Sequence, residues 1–231
     1  MKYSLLLCLL ASLLLVACDT DKVELGAPFG SDYYPLEAGR YVSYNVTQTT
    51  WVLNGPQTGT TVTYQLKDTI TGQFNDLANG LSYRIERYRR ENRLDNWRLV
   101  RVWTARTNRQ SVIRTEENMP YVKLVFPIEE GRSWNGNVFN GMAAKNYYFK
   151  DLNKTHTFAG RVYDKTATVI QSADSSLVGR DIRREIYAKD VGIIYKRSEE
   201  IVYLQDELFG KNVIERGELL EMTAFEYGKK Q

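Results

Sequence analysis

After residue 40 the chain alternates with a period of two almost to its end, and that rhythm leaves few folds open. In TTVTYQLKDTI, Val62, Tyr64, Leu66 and Ile70 fall on one side, and Thr61, Thr63, Gln65, Lys67 and Thr69 on the other. Successive side chains of an extended strand point to opposite faces, so this is the pattern of a half-buried strand. RYVSYNVTQTTWVL before it alternates Val42, Tyr44 and Val46 against Ser43, Asn45 and Thr47. NGPQTG lies between, with Asn-Gly and Pro in six residues, which predicts a hairpin. LSYRIERYRR, WRLVRVWTAR, SVIRTEE, YVKLVFPI, KNYYFKD, TATVIQSA, DIRREIYAK, GIIYKRSEEIVYL and GELLEMTAFEYG continue the series, rich in the β-branched and aromatic residues that suit a pleated surface. No long capped segment has helical spacing. The expectation is an all-β chain: one large curved antiparallel sheet, as a half-barrel or a sandwich.

One phrase occurs twice. YPLEAGR at Tyr34–Arg40 returns as FPIEEGR at Phe126–Arg132, and GLSYRIERY at Gly80–Tyr88 is echoed by GRDIRREIY at Gly179–Tyr187. The offsets, 92 and 99 residues, differ by one insertion of seven. Two ordered echoes suggest a duplication of units of about 100 residues, giving one β domain, 32–231, of two fused halves, 32–124 and 125–231. Each phrase reads as a strand lead-in. Proline cannot donate to a central ladder, glycine supplies a tight turn, and the flanking apolar residues can plug the end of a sheet.

The N-terminus carries a different signal. Met1-Lys2 is followed by fourteen uncharged residues, Ser4 to Ala17, too few to span a bilayer comfortably, which takes about 20, but suited to a secretory signal. Leu15-Val16-Ala17-Cys18 resembles a bacterial lipobox, so residues 1–17 are expected to be a lipoprotein signal, Cys18 the lipidated residue, and 18–31 a tether. Several acyl chains on one cysteine would anchor stably in the outer membrane, on its periplasmic face or the cell surface. Asp19, Asp21 and Glu24 resemble an interrupted surface-export signal. The chain has two cysteines; Cys8 leaves with the signal, so no disulfide can form within the mature chain and the core must supply its stability.

Known chemistries are poorly served. His156 is the single histidine, in the turn-like LNKTHTFAG, and no G-x-S-x-G elbow accompanies it, so it reads as an exposed loop residue. Cys/His zinc sites fail by count, and H-E-x-x-H, P-loop and dinucleotide motifs are absent. The carboxylate pairs Glu116-Glu117, Glu129-Glu130 and Glu199-Glu200 are adjacent, and neighbours on a strand point apart, so none forms a glycosidase pair alone. Oxygen-rich DLNK and ADSSLVGRD lack the pattern of a calcium loop. We expect no catalytic residues, no metal and no cofactor. The formal charge of +3 predicts no nucleic-acid partner.

Residues 84–109 hold nine arginines against three acids. Arg84, Arg87, Arg89, Arg90, Arg93, Arg98 and Arg101 are candidates for an anionic-ligand or partner patch, since guanidinium forks match phosphate and carboxylate; the plainer reading is a hairpin face of cross-strand Arg–Glu pairs. In WRLVRVW, Trp97, Leu99, Arg101 and Trp103 should share one face, as expected of a strand covered on both sides or lining a cavity.

DYYPLEAGRYVSYNV, KLVFPIEEGRSWNGN and YAKDVGIIYK resemble a family of uncharacterised Bacteroidota outer-membrane lipoproteins that open with a lipobox and an aromatic-Pro-Leu-x-x-Gly lead-in. Tryptophan commonly follows the glycine there; here Tyr41-Val42 stands in the first copy and Trp134 in the second. The resemblance implies envelope location and β structure, with no catalytic residues to transfer. Asp68-Thr69-Ile70 resembles a Bacteroidota glycosylation site at Thr69. Two functions stay open. One is a non-enzymatic lipid-anchored protein that binds or scaffolds another envelope protein or a glycan through sheet edges and the arginine hairpin. The other is a periplasmic carrier of a lipid or hydrophobic ligand in a concave sheet.

Overall fold

The computed structural model describes residues 30–53, 57–76 and 80–230. The expected signal, Cys18, the acidic run after it and nearly all of the tether lie outside these residues.

A three-residue 3-10 turn at Ser31–Tyr33 is the only helical piece among the described residues. The rest is strand. The first half supplies β1 (Arg40–Trp51), β2 (Thr60–Asn75), β3 (Leu81–Arg90), β4 (Arg98–Thr107), β5 (Ser111–Glu116) and β6 (Met119–Val125). The second supplies β7 (Ser133–Asn135), β8 (Asn146–Lys150), β9 (His156–Phe158), β10 (Arg161–Tyr163), β11 (Thr166–Ser175), β12 (Gly179–Ala188), β13 (Gly192–Tyr203) and β14 (Ile214–Lys229). Twelve of these form one antiparallel sheet in the order β6-β5-β4-β3-β2-β1-β14-β13-β12-β11-β8-β7. The all-β expectation and the curved antiparallel sheet are both borne out.

The sheet curls until its two edges meet. Val122 N–H of β6 donates to the Gly136 carbonyl just past β7 (2.9 Å), Trp134 Nε1 donates to the Val122 carbonyl (2.9 Å), and Asn140 Nδ2 donates to the Pro120 carbonyl (2.9 Å). The result is a nearly closed barrel. Closure covers part of each edge, whose unpaired groups would otherwise template pairing with another chain, and these two edges lie against each other at Val122 and Gly136. The β9–β10 hairpin lies against the outer wall, where Phe158 stacks on Tyr195 at 5.2 Å.

Both lead-ins fold as turns of the same kind. Gly39 and Gly131 take φ of +89° and +75°, which L side chains rarely adopt. Arg40 N–H bonds the Glu37 carbonyl and Arg132 N–H the Glu129 carbonyl; each glycine N–H then reaches the neighbouring strand, at Ile70 and Phe149. Tyr34 and Phe126 turn inward and are buried in the core. They fill one end of the barrel with Tyr44, Ile85, Trp103, Phe149 and Tyr187.

The second echo is out of step with the first. Two strand-to-strand steps separate β1 from β3, but three separate β7 from β12 along the sheet. β3 therefore runs with β1, and β12 runs against β7. An insertion of seven residues does not reconcile them; one more sheet strand separates lead-in from echo in the second half than in the first, although each half supplies six strands to the sheet.

Two expectations are corrected. A bulge pairs Arg87 with Arg101 and Tyr88 with Leu99, leaving Val100 unpaired, so the alternation of β4 reverses there. Trp97 and Leu99 leave the face of Arg101 and Trp103: Trp97 lies outside under Lys67 and Arg90, and Trp103 inside under Arg87 and Arg114. His156 is not an exposed loop residue. It belongs to β9, is half-buried, and stacks on Phe158 with its Nε2 enclosed and unpartnered. Burial first, then Lys154, lowers its pKa.

Candidate functional site

The lumen holds the unusual chemistry. Alternation places Asp68 of β2, Arg87 of β3, Arg114 and Glu116 of β5, Glu185 and Tyr187 of β12 and Lys196 of β13 on the inner face, and a bulge between Val112 and Ile113 keeps Lys123 of β6 there too. Charges inside a barrel persist only when paired, because desolvating an ion is costly. Here they are paired in depth. Lys123 Nζ donates to Glu185 Oε1 at 2.7 Å, and the Tyr187 hydroxyl donates to Glu185 Oε2 at 2.5 Å. Arg114 donates to Glu116 through two nitrogens and, more weakly, to the Tyr34 hydroxyl at 3.4 Å. Arg87 grips Asp68 with two bonds, 2.6 and 2.7 Å.

The pKa shifts follow. Burial alone would raise the Glu185 carboxyl, but Lys123, Lys196 and Arg114 overcome it and hold the group at about 2. Glu116 is likewise pulled below the carboxylate range against its burial, chiefly by Arg114 and Lys123. Burial pushes the Tyr34, Tyr44 and Tyr187 hydroxyls up, so they stay protonated donors. Burial lowers the Lys123 ammonium, with Glu185 opposing.

This network is a floor. On its lead-in side an apolar gap of about 60 Å³ remains, lined by Tyr34, Pro35, Ile70 and Ile85 among others. On the other side the lumen opens. A cavity of about 260 Å³ lies there, bordered by the carboxylates Glu116 and Glu117, the cations Lys123, Lys145, Arg183 and Lys196, and by Tyr147 and Gln171. A second recess of about 400 Å³ sits between Trp51, Glu200, Arg216 and Glu218, and Ser198 borders both.

The rim of this open end has a distinct character. Strands alternate in direction, so the connections after β1, β3, β5, β7, β11 and β13 all lie there. Five of the six carry an exposed large apolar side chain: Leu53, Leu94, Phe139, Leu177 and Phe209. The sixth carries Glu117. The chain enters at the opposite, filled end, where Gly30 packs on Ile128.

The arginines singled out from sequence do not assemble into one surface. Arg87, Arg89 and Arg101 face inward; Arg84 and Arg90 face outward; Arg93 and Arg98 stand exposed near the rim. Most have a carboxylate: Arg84 with Glu86 (3.0 Å), Arg87 with Asp68 (2.6 Å), Arg89 with Glu91 (2.9 Å), Arg98 with Glu91 (3.9 Å) and Arg101 with Glu117 (2.8 Å). Arg90 bonds Gln65 and covers Trp97. Thr69 stands half-buried on the outer face of β2, opposite Tyr41 and Glu86. Glu199 and Glu200 point to opposite faces, toward Arg180 and Arg197 outside and Arg183 inside. Among the described residues no cluster of three or more His, Cys, Asp or Glu could hold a metal ion.

Sequence reading missed Arg114, Lys123, Glu185 and Lys196. The signal was present: Lys123 interrupts the apolar run YVKLV, and Glu185 sits two residues from a tyrosine on a strand otherwise buried at that end.

No protein-family model matches the chain, and no curated protein matches it. Two solved structures are similar in chain path. One is a protein inferred to be exported, with a YmcC-like fold, from Bacteroides fragilis: 12% identity, TM-score 0.42, covering 88% of this chain and 100% of that one. The other is a protein inferred to be a lipoprotein, from Parabacteroides distasonis: 11% identity, TM-score 0.43, with the same coverage.

Proposed function

We propose that this chain is a non-enzymatic, lipid-anchored envelope protein that binds another envelope component, a glycan or a protein, at the open end of its barrel. One observation carries the reading: the barrel is filled at the end where the chain enters and open at the other, where apolar loop tips ring a polar vestibule. Exposed large apolar side chains gathered on one rim, and not scattered over the surface, support an interaction surface there. Gly30, where the described residues begin, packs on Ile128 at the filled end, which leaves the open end to face a partner. A carrier of acyl chains has less support. The apolar gap of about 60 Å³ is far below the roughly 300–1,000 Å³ of ordinary ligand sites, and the larger recesses, of about 260 and 400 Å³, are both bordered by charged side chains.

The test is site-specific photo-crosslinking in native envelopes. A photoreactive residue at Phe139, on the rim, should capture a discrete partner; the same residue at Val162, exposed on the outer hairpin, should not. Equal capture from both would refute an end-on site. Separately, a fatty-acid probe fed to growing cells should label the protein and Cys18→Ala should abolish the label, and absence of label on the unaltered protein would refute the lipid anchor.

A further inference from the structure

This inference rests on the preceding reading and narrows it. We propose that the vestibule cavity above Lys123 binds a single anionic group, a carboxylate or a phosphate, carried on a ligand the size of one sugar.

The charges there do not balance. Arg114, Lys123 and Lys196 act on Glu116 and Glu185, while Asp68, which Arg114 also feels, is held by two bonds from Arg87. Three cations against two carboxylates leave one positive charge to be met from outside. The next groups outward cancel: Lys145 and Arg183 share Asp181, Arg183 also reaches Glu200, and Glu117 is held by Arg101. The surplus falls on Lys196. Its nearest carboxylate oxygen, Glu185 Oε1, is 3.7 Å away and already accepts from Lys123 at 2.7 Å.

A second observation is independent of charge. Gln171 is 8% exposed, lines the same cavity, and its Nε2 has no hydrogen-bond partner. Most buried side-chain amides are paired, and an unpaired donor costs about 1–3 kcal/mol. The backbone puts it there. Ile170 pairs with Arg184 and Ser172 with Arg183, so Gln171 is the extra residue of a bulge, the device that re-aims a side chain beside a site. The Tyr147 hydroxyl borders the cavity too; burial and then Glu185 raise its pKa, so it keeps its proton. An ammonium, an amide and a hydroxyl thus border the cavity as donors, and the Glu116 and Glu117 carboxylates that also border it are taken up by Arg114 and Arg101, so the donors left over favour an occupant with acceptors and negative charge. About 260 Å³ is room for one sugar residue with its acidic substituent.

The experiment is isothermal titration of the protein purified from membranes in detergent, with glucuronate, glucose 6-phosphate and glucose as probes. At least one anionic probe should bind about tenfold or more tighter than glucose, because charge-assisted bonds are roughly twice as strong as neutral ones. Which anion wins distinguishes a uronic-acid from a phosphate source. Lys196→Met should weaken the anion by about tenfold or more, and Gln171→Leu by about threefold or more. Lys196→Met should lower the thermal midpoint modestly, since Lys196 also helps hold Glu185 charged, and should weaken the anion as well. The proposal is overturned if neither anion binds below about 10 mM, if glucose binds as well, or if Lys196→Met lowers the midpoint and leaves affinity untouched. Rim crosslinks that persist without anion binding would sink this inference and leave the envelope-binding reading standing.

Discussion

Glu185 has no exposure to solvent, yet it carries a charge, and the cations around it decide how the protein responds to acid. Its folded pKa of about 2 lies below the ordinary 4.5. The folded state therefore takes up its proton less readily than the unfolded chain. The stability this supplies is complete above about pH 4.5 and is lost as pH falls toward 2, roughly 3 kcal/mol across the window. Glu116 acts in the same direction. The urea midpoint at fixed ionic strength should fall between about pH 5 and pH 3; a flat profile would mean the pairing is not stabilising. Glu185→Gln should flatten much of that slope. It should also cost about 3–5 kcal/mol at neutral pH, because Lys123 and Lys196 would face each other with no carboxylate between them. Adding Lys123→Met should recover part of the loss, which a double-mutant cycle in urea measures. If the two changes simply add, the pair is not coupled.

At the scale of elements, the repeated lead-in is one turn used in two surroundings. Both glycines need positive φ, so alanine at either should strain the backbone by about 1–2 kcal/mol. The surroundings then separate them. A Cβ on Gly39 would stand 2.6 Å from the Lys230 carbonyl oxygen, while one on Gly131 meets nothing within 4 Å. Gly39→Ala should therefore lower the denaturation midpoint clearly more than Gly131→Ala, and equal losses would contradict the packing of the C-terminus on the first lead-in. This also shows what the sequence displays and what it hides. The turn, its glycine and the inward aromatic are all legible, because local sterics demand them. Bulges are not. Val100 and Gln171 look like ordinary strand residues, yet each shifts the alternation by one and sends its neighbours to the other wall. Strict alternation therefore puts Trp97 on the wrong face, and Gln171 carries no local mark of a site residue. The arginines of 84–109 were conspicuous in number but mostly pair across or along strands. The site's own cations were spread over β5, β6 and β13, where only three-dimensional closure brings them together.

At the scale of the whole molecule, closure is what makes a site of the lumen, and closure was the least legible feature of all. Hairpin pairing of β1 with β2 follows from sequence proximity, whereas pairing of β1 with β14, and the meeting of β6 with β7, depend on the curvature of twelve strands. The β6–β7 seam is thin. It includes the Val122–Gly136 main-chain bond, the Trp134 indole bond to Val122, the Asn140 amide bond to Pro120 and a long bond from the Tyr121 hydroxyl to Met142 Sδ (3.7 Å). Trp134 also packs against Tyr147 and Phe149, at 6.1 and 4.7 Å between ring centres, so it ties the seam to the core. Trp134→Phe keeps most of that ring packing and removes only the indole donor. Leaving the Val122 carbonyl without it should cost about 1–3 kcal/mol. The loss should be local before it is global. Amide exchange at Val122 should quicken while exchange at β1–β14, on the opposite side of the barrel, holds, because parts of a fold open with separate free energies. Uniform acceleration would mean that the seam and the rest of the sheet open as one unit. Lys123, one residue along β6 from the seam, would lose its fixed place opposite Glu185 as the seam opens. Trp134→Phe should then also blunt the acid response assigned to Glu185, and an unchanged acid profile would show that the ionic floor holds without the seam.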